Sequence, residues 1–192
     1  MDKFFANLWW VLVVGFGLAI LMMMLPDYAI APGVSSAGIA GGVFQWLHVF
    51  FGVLWIGLLY YFNFVQVPVM PAIPAELKPA VSKHIAPQAL FYFRWAAALT
   101  VLAGLILGYL YHELHEALTL QPGFRLIGIG MYLGLIMAFN VWVIIWPNQK
   151  KVLGIVPADD AAKAKAAKAA LIASRTNTLL SVPMLLAMTN FR

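Results

Sequence analysis

His48 is the residue with the most evident chemical potential. It stands in Trp46-Leu47-His48-Val49-Phe50-Phe51-Gly52-Val53-Leu54-Trp55-Ile56-Gly57, inside an unbroken apolar run. A neutral imidazole in that setting still requires a hydrogen bond or a metal. At about 3.6 residues per turn, positions 48, 52 and 55 fall on one helical face. Gly52, one turn from His48, removes the side chain that would block a flat macrocycle. With aromatic neighbours such as Trp55, this is the kind of seat that helix bundles offer haem b. Packing accounts for the same pattern, with the imidazole bonded across a helix interface and Gly52 permitting close approach. On sequence alone both stand.

A six-coordinate haem needs a second axial ligand. Met131 lies about as deep in its apolar run as His48 does in its own, and Met184 and Met188 are further thioether candidates. With nine methionines in the chain, most serve packing. His112 sits about 9 Å shallower than His48 at 1.5 Å per residue, a poor offset for two ligands on one iron. In His112-Glu113-Leu114-His115-Glu116, the residues His112, His115 and Glu116 at i, i+3 and i+4 are expected to share a helical face and could hold a divalent metal. The His-Glu-x-x-His order of zinc peptidases is absent, and an exposed charged helix end is the ordinary meaning of such a run.

A second polar group is expected toward the other end of the apolar runs, from Arg94, Asn63, Gln66, Asn140, Arg175 and Asn177. No acidic residue lies within any run to neutralise Arg94. The guanidinium must therefore snorkel, pair with an anion or occupy a wet cavity. A haem propionate, an anionic substrate, a lipid phosphate and a quinone carbonyl all fit that requirement. The alternative is snorkelling to headgroups, with the asparagines pairing backbone at Pro147 and Pro183. The expected cofactor-binding set is thus His48, Gly52, Trp55, Met131, Arg94, Asn140 and Asn177, with haem b as cofactor and quinone as a second candidate.

These residues need membrane helices to position them. The chain has 192 residues, 64% of them hydrophobic and 10% charged, with a mean hydropathy of +0.89. Several apolar runs reach the ~20 residues that span a ~30 Å hydrocarbon core. The expected fold is an all-α polytopic membrane helix bundle forming one transmembrane domain. Its five spans are placed at roughly Leu8 to Leu25, Gly42 to Phe64, Ala89 to Tyr111, Leu126 to Trp146, and Asn177 to Phe191. The last is short, but an Ala/Lys-rich helix over about 159–176, N-capped by Asp159 or Asp160, is expected to run into it. Lys3 and an Ala-x-Ala triplet ending at Ala31 resemble a secretory signal, yet the first apolar stretch is too long for one, and an uncleaved helix is expected.

An N-terminus in the cytoplasm puts Lys3, Lys78, Lys83, Lys150, Lys151, Lys163, Lys165, Lys168 and Arg175 on that side, against Arg125 and Arg192 outside. The positive-inside rule then predicts the N-terminus in and the C-terminus out. The net charge of +5 therefore signals loops and anionic lipid rather than nucleic acid. The absence of cysteine excludes disulfides, thiolate metal sites and covalent c-type haem from this sequence.

Two stretches carry a family resemblance. WLHVFFGVLWIG with the following YYFNF, and FNVWVIIWPNQKKV followed by RTNTLLSVPMLLAMTN, look like the membrane domain of bacterial membrane-bound urate oxidase (urate hydroxylase), the urate oxidase N-terminal family. FYFRWAAALTVLAG resembles that family's third recurring block. Full-length members carry more spans and a C-terminal cytochrome c domain that receives electrons from urate, so this chain is expected to be a short stand-alone member. The resemblance also implies histidines at the places held here by Phe91, Thr176 and approximately Phe191, whereas His48 is retained. Arg94, Asn140, Gln149, Asn177 and Pro183 match the pattern. Self-sufficient urate oxidation is accordingly not expected.

Two functions remain. One is a membrane redox module, with haem b on His48 or a bound quinone, passing electrons to a separate cytochrome or another membrane protein. The other is a non-catalytic accessory subunit of a larger respiratory or photosynthetic complex, its former pocket filled by Phe91 and the aromatics around His48. Transport is disfavoured, because no pair of broken helices in corresponding halves and no intramembrane acid are present.

Overall fold

The computed structural model describes residues 7–25, 28 and 37–190, and every regular element among them is helical. Six helices follow in order: α1 Leu8–Met23, α2 Gly38–Ala72, α3 Lys78–Leu110, the short α4 Leu114–Leu118, α5 Arg125–Val152 and α6 Asp160–Thr189. α2, α3, α5 and α6 are long and apolar enough to cross a membrane, which makes this a multi-pass membrane protein. Three run past their expected bounds, because turns of helix extend the apolar runs of α2, α3 and α5 at the Lys-rich end.

The first expected span corresponds to α1. At 16 residues it is about 24 Å long, and none of its residues is buried. Phe16 holds it to α2 through edge contacts with Trp46 and Phe50, both at 5.2 Å between ring centroids. The predicted fusion of the basic segment with the last span is borne out. α6 is one helix, and the Asp159 carboxylate caps it by accepting from the Ala162 N–H at 2.7 Å.

The four long helices form a ring of antiparallel neighbours, α2 to α3 to α5 to α6 and back to α2. α2–α3 and α5–α6 are the closest pairs. Lipid tails are as apolar as leucine, so such helices associate through close packing and hydrogen bonds rather than hydrophobic burial. The contact faces are correspondingly built of small residues. On α6 the buried positions Ala166, Ala170, Ala173, Asn177, Ser181 and Met184 recur every three or four residues, a seam suited to a near-antiparallel neighbour. Trp55, Leu59, Phe62, Phe93, Ala97, Met137 and Val141 fill the centre.

Three π-helical turns interrupt the long helices, at Tyr61–Gln66, Val81–Ile85 and Asn140–Ile145. Each is followed, two residues after its end, by a proline: Pro68, Pro87 and Pro147. Proline has no N–H, and its ring collides with the carbonyl four residues back. Those carbonyls belong to Phe64, Lys83 and Val143, all inside the widened turns. One extra residue per turn moves the carbonyl aside and lets the helix continue.

Candidate functional site

His48 lies in the α2–α3 interface. Its Nδ1 is 2.8 Å from the backbone carbonyl oxygen of Thr100. A carbonyl only accepts, so Nδ1 carries the proton and Nε2 the lone pair. Nε2 has no hydrogen-bond partner among the described residues. Gly104, one turn beyond Thr100, makes room for the ring: a Cβ there would fall 2.7 Å from Cε1 and 2.8 Å from Nδ1. Gly52 also faces this seam, with a hypothetical Cβ 3.8 Å from the Thr100 methyl. The notch expected beside the imidazole thus receives Thr100. Trp55 completes the predicted face, only 2% exposed, and its indole N–H is buried without a partner.

The other expected ligands do not join this group. Met131 is half-buried on α5, diagonal to α2 and outside the central cluster. Met184 is part of that cluster and Met188 packs against it, so both serve packing. Arg94 lies six positions before Thr100 on α3, about 9 Å along the axis and on a different face. Phe93 meets Phe62 of α2 at 5.7 Å, while Arg94 turns to α5 and stacks its guanidinium 3.4 Å from the ring centroid of Trp146.

The predicted polar group forms in part, with α6 as its hub. The Asn140 amide donates to Asn177 Oδ1 at 2.8 Å, and the Asn177 amide donates to the Met137 carbonyl at 2.9 Å. The Asn63 amide donates to Ser174 Oγ at 2.8 Å and to the Leu59 carbonyl at 2.9 Å. Tyr60 and Ser181 join their hydroxyls at 2.9 Å. Asn63 Oδ1, Gln66 Oε1 and Arg94 Nη1 are buried without hydrogen-bond partners. Arg175 is exposed. Ser174, Ser181, Tyr60, Trp146 and Gly104 escaped the sequence reading. Ser174, Asn177 and Ser181 at i, i+3 and i+7 were the available signal for the seam.

The proposed metal cluster at the opposite end is not supported. α3 stops at Leu110, and His112 adopts φ +58°, a left-handed conformation that breaks the helix before α4 begins at Leu114. His112, His115 and Glu116 therefore share no continuous helical face. They line an open hollow of about 440 Å³ with Tyr109, Leu114 and Leu118, and no metal-holding group of three His, Cys, Asp or Glu exists among the described residues. Phe91 is 46% exposed and fills no pocket beside His48. Thr176 is exposed too, bonding its own helix at the Ile172 carbonyl. The Phe191 position lies outside the described residues.

No curated protein and no solved structure matches the chain. A family model does match, over residues 119–191, the stretch that contains α5, α6 and the Asn140–Asn177 bond but neither His48 nor Arg94. Over those residues the chain is similar to the urate oxidase N-terminal family.

Proposed function

We propose that this module is redox-active, with His48 Nε2 as an axial ligand of haem b. The supporting observation is the fixed tautomer. Metal-ligating histidines commonly donate their other ring N–H to a backbone carbonyl or carboxylate, which orients the ring and raises its basicity. The Thr100 carbonyl does this for His48, leaving Nε2 with a lone pair and no partner among the described residues. Haem b bound there supplies one-electron exchange at a potential set by its ligands and surroundings. The chain's own contributions are orientation and a dry environment. Thr100 holds the imidazole, Gly104 admits it, and the Trp55 indole N–H offers a buried donor on the same face of α2. Arg94 faces α5 and takes no part. A haem held by His48 would exchange electrons with a separate cytochrome or with quinone, and the module is placed in a bacterial inner membrane with the Lys-rich end and the N-terminus in the cytoplasm and the C-terminus outside.

The accessory-subunit reading draws on a different observation, the Thr100 methyl against Gly52, which makes the α2–α3 seam a packing surface. A reduced-minus-oxidised visible spectrum separates the two, taken on protein purified with its native lipids and partners. The redox proposal expects a Soret band in the wild type that is lost or shifted in His48→Ala. A wild type without a Soret band refutes haem ligation. The accessory reading instead expects co-purification in fixed stoichiometry, with partner activity unchanged in His48→Ala.

A further inference from the structure

No acidic side chain among the described residues pairs with Arg94. No acidic residue occurs in the apolar part of any long helix, and the ion pair among the described residues joins Lys163 to Asp160 at the start of α6. One guanidinium nitrogen, Nη1, is buried with no hydrogen-bond partner. A second cation approaches the same ring, with Lys150 Nζ 5.8 Å from the centroid of the Trp146 indole that Arg94 covers at 3.4 Å. The indole face attracts both cations, but it accepts no hydrogen bond of the strength a guanidinium N–H makes to an anion. Depth narrows the choice of anion. Trp146 closes the apolar run of α5, and Lys150 and Lys151 occupy the last turn beyond it, so the ring marks the level at which hydrocarbon gives way to headgroups.

We propose that Arg94, Trp146 and Lys150 form a headgroup site for an anionic phospholipid. Arg94 donates to the phosphate, Lys150 adds a second positive charge on the water side, and Trp146 holds the guanidinium in place. A planar guanidinium binds phosphate through two parallel N–H donors, which a lysine at position 94 would not reproduce. The site is independent of any cofactor on His48, which lies on α2 against another face of α3.

The test is native mass spectrometry of the full chain in detergent, titrated separately with phosphatidylglycerol, phosphatidylcholine and inorganic phosphate. Phosphatidylglycerol should be retained in preference to phosphatidylcholine, and inorganic phosphate should not be retained. Arg94→Gln and Lys150→Gln should each weaken phosphatidylglycerol retention about fivefold, the equivalent of about 1 kcal/mol per basic residue at a charged surface. Arg94→Lys should fall between wild type and Arg94→Gln. Lys165→Gln, on an exposed position of α6, should change nothing. Equal retention by Arg94→Gln and wild type overturns the site. So does equal loss in Lys165→Gln, which would make the attraction diffuse, and so does retention of inorganic phosphate alone. If Arg94→Gln does not fold, Lys150→Gln and Trp146→Leu carry the same comparison.

Discussion

Gly104→Ala is the sharpest probe of the His48 seat. The added methyl would lie 2.7 Å from Cε1 and 2.8 Å from Nδ1, about 0.7–1 Å inside ordinary carbon contact. The imidazole cannot withdraw while Nδ1 stays 2.8 Å from the Thr100 carbonyl. Losing that hydrogen bond costs about 0.5–1.5 kcal/mol, and the overpacking about 1–3 kcal/mol. Against these stands the helix-propensity gain of alanine over glycine, about 0.5–1 kcal/mol. The expected net is a destabilisation of about 1–3 kcal/mol. In a His48→Ala background the obstacle is gone, and the same substitution should stabilise by up to about 1 kcal/mol. Reversible unfolding in mixed SDS micelles, followed by far-UV ellipticity, gives both values. The reversal of sign is the signature of a direct contact between residue 104 and the imidazole. If Gly104→Ala has the same effect in both backgrounds, the ring does not lie where it is described, and the tautomer argument for Nε2 goes with it.

Two further outcomes follow from the polar seam and the cap. Asn177→Leu should cost about 1–3 kcal/mol by stranding the Asn140 amide, while a cycle with Asn140→Leu should give a coupling of about 0.6 kcal/mol and at most about 1.7. Strict additivity in the same unfolding assay would deny the 2.8 Å bond between them. Asp159→Ala should cost about 0.5–2 kcal/mol, felt locally as faster amide exchange at Ala162. Unchanged exchange there would show that the capping carboxylate contributes nothing.

The parts legible in the sequence were those that depend on long averages. Twenty-residue apolar runs identify α2, α3 and α5 whatever their neighbours, and the alanines with Asp159 announce the continuous start of α6. Helix ends and register were less accessible. A π turn inserts one residue, which the 3.6-residue pattern does not record, although a proline two residues past each turn was there to be read. His48 turns to α3, and its partner there is a backbone carbonyl, which any residue type supplies. Arg94 was grouped with Asn63, Asn140 and Asn177 because depth can be counted along a chain while azimuth between helices cannot. One position separates Phe93 from Arg94, and about 100° of helix rotation sends the first to α2 and the second to α5.

That separation bears on function. The family match covers α5 and α6, where asparagines and serines are paired with each other or with backbone. Those groups bind helices together and leave little free for a substrate. Among the described residues, the groups on α2 and α3 with capacity to spare are His48 Nε2, the Trp55 indole N–H, Asn63 Oδ1, Gln66 Oε1 and Arg94 Nη1. The likeness to the urate oxidase N-terminal family therefore speaks for the scaffold of α5 and α6, while the His48 site lies on the two helices outside the matched residues. Substitutions at the paired asparagines and serines of α5 and α6 should accordingly act on stability first, and those at His48, Arg94 and Lys150 on what the protein holds.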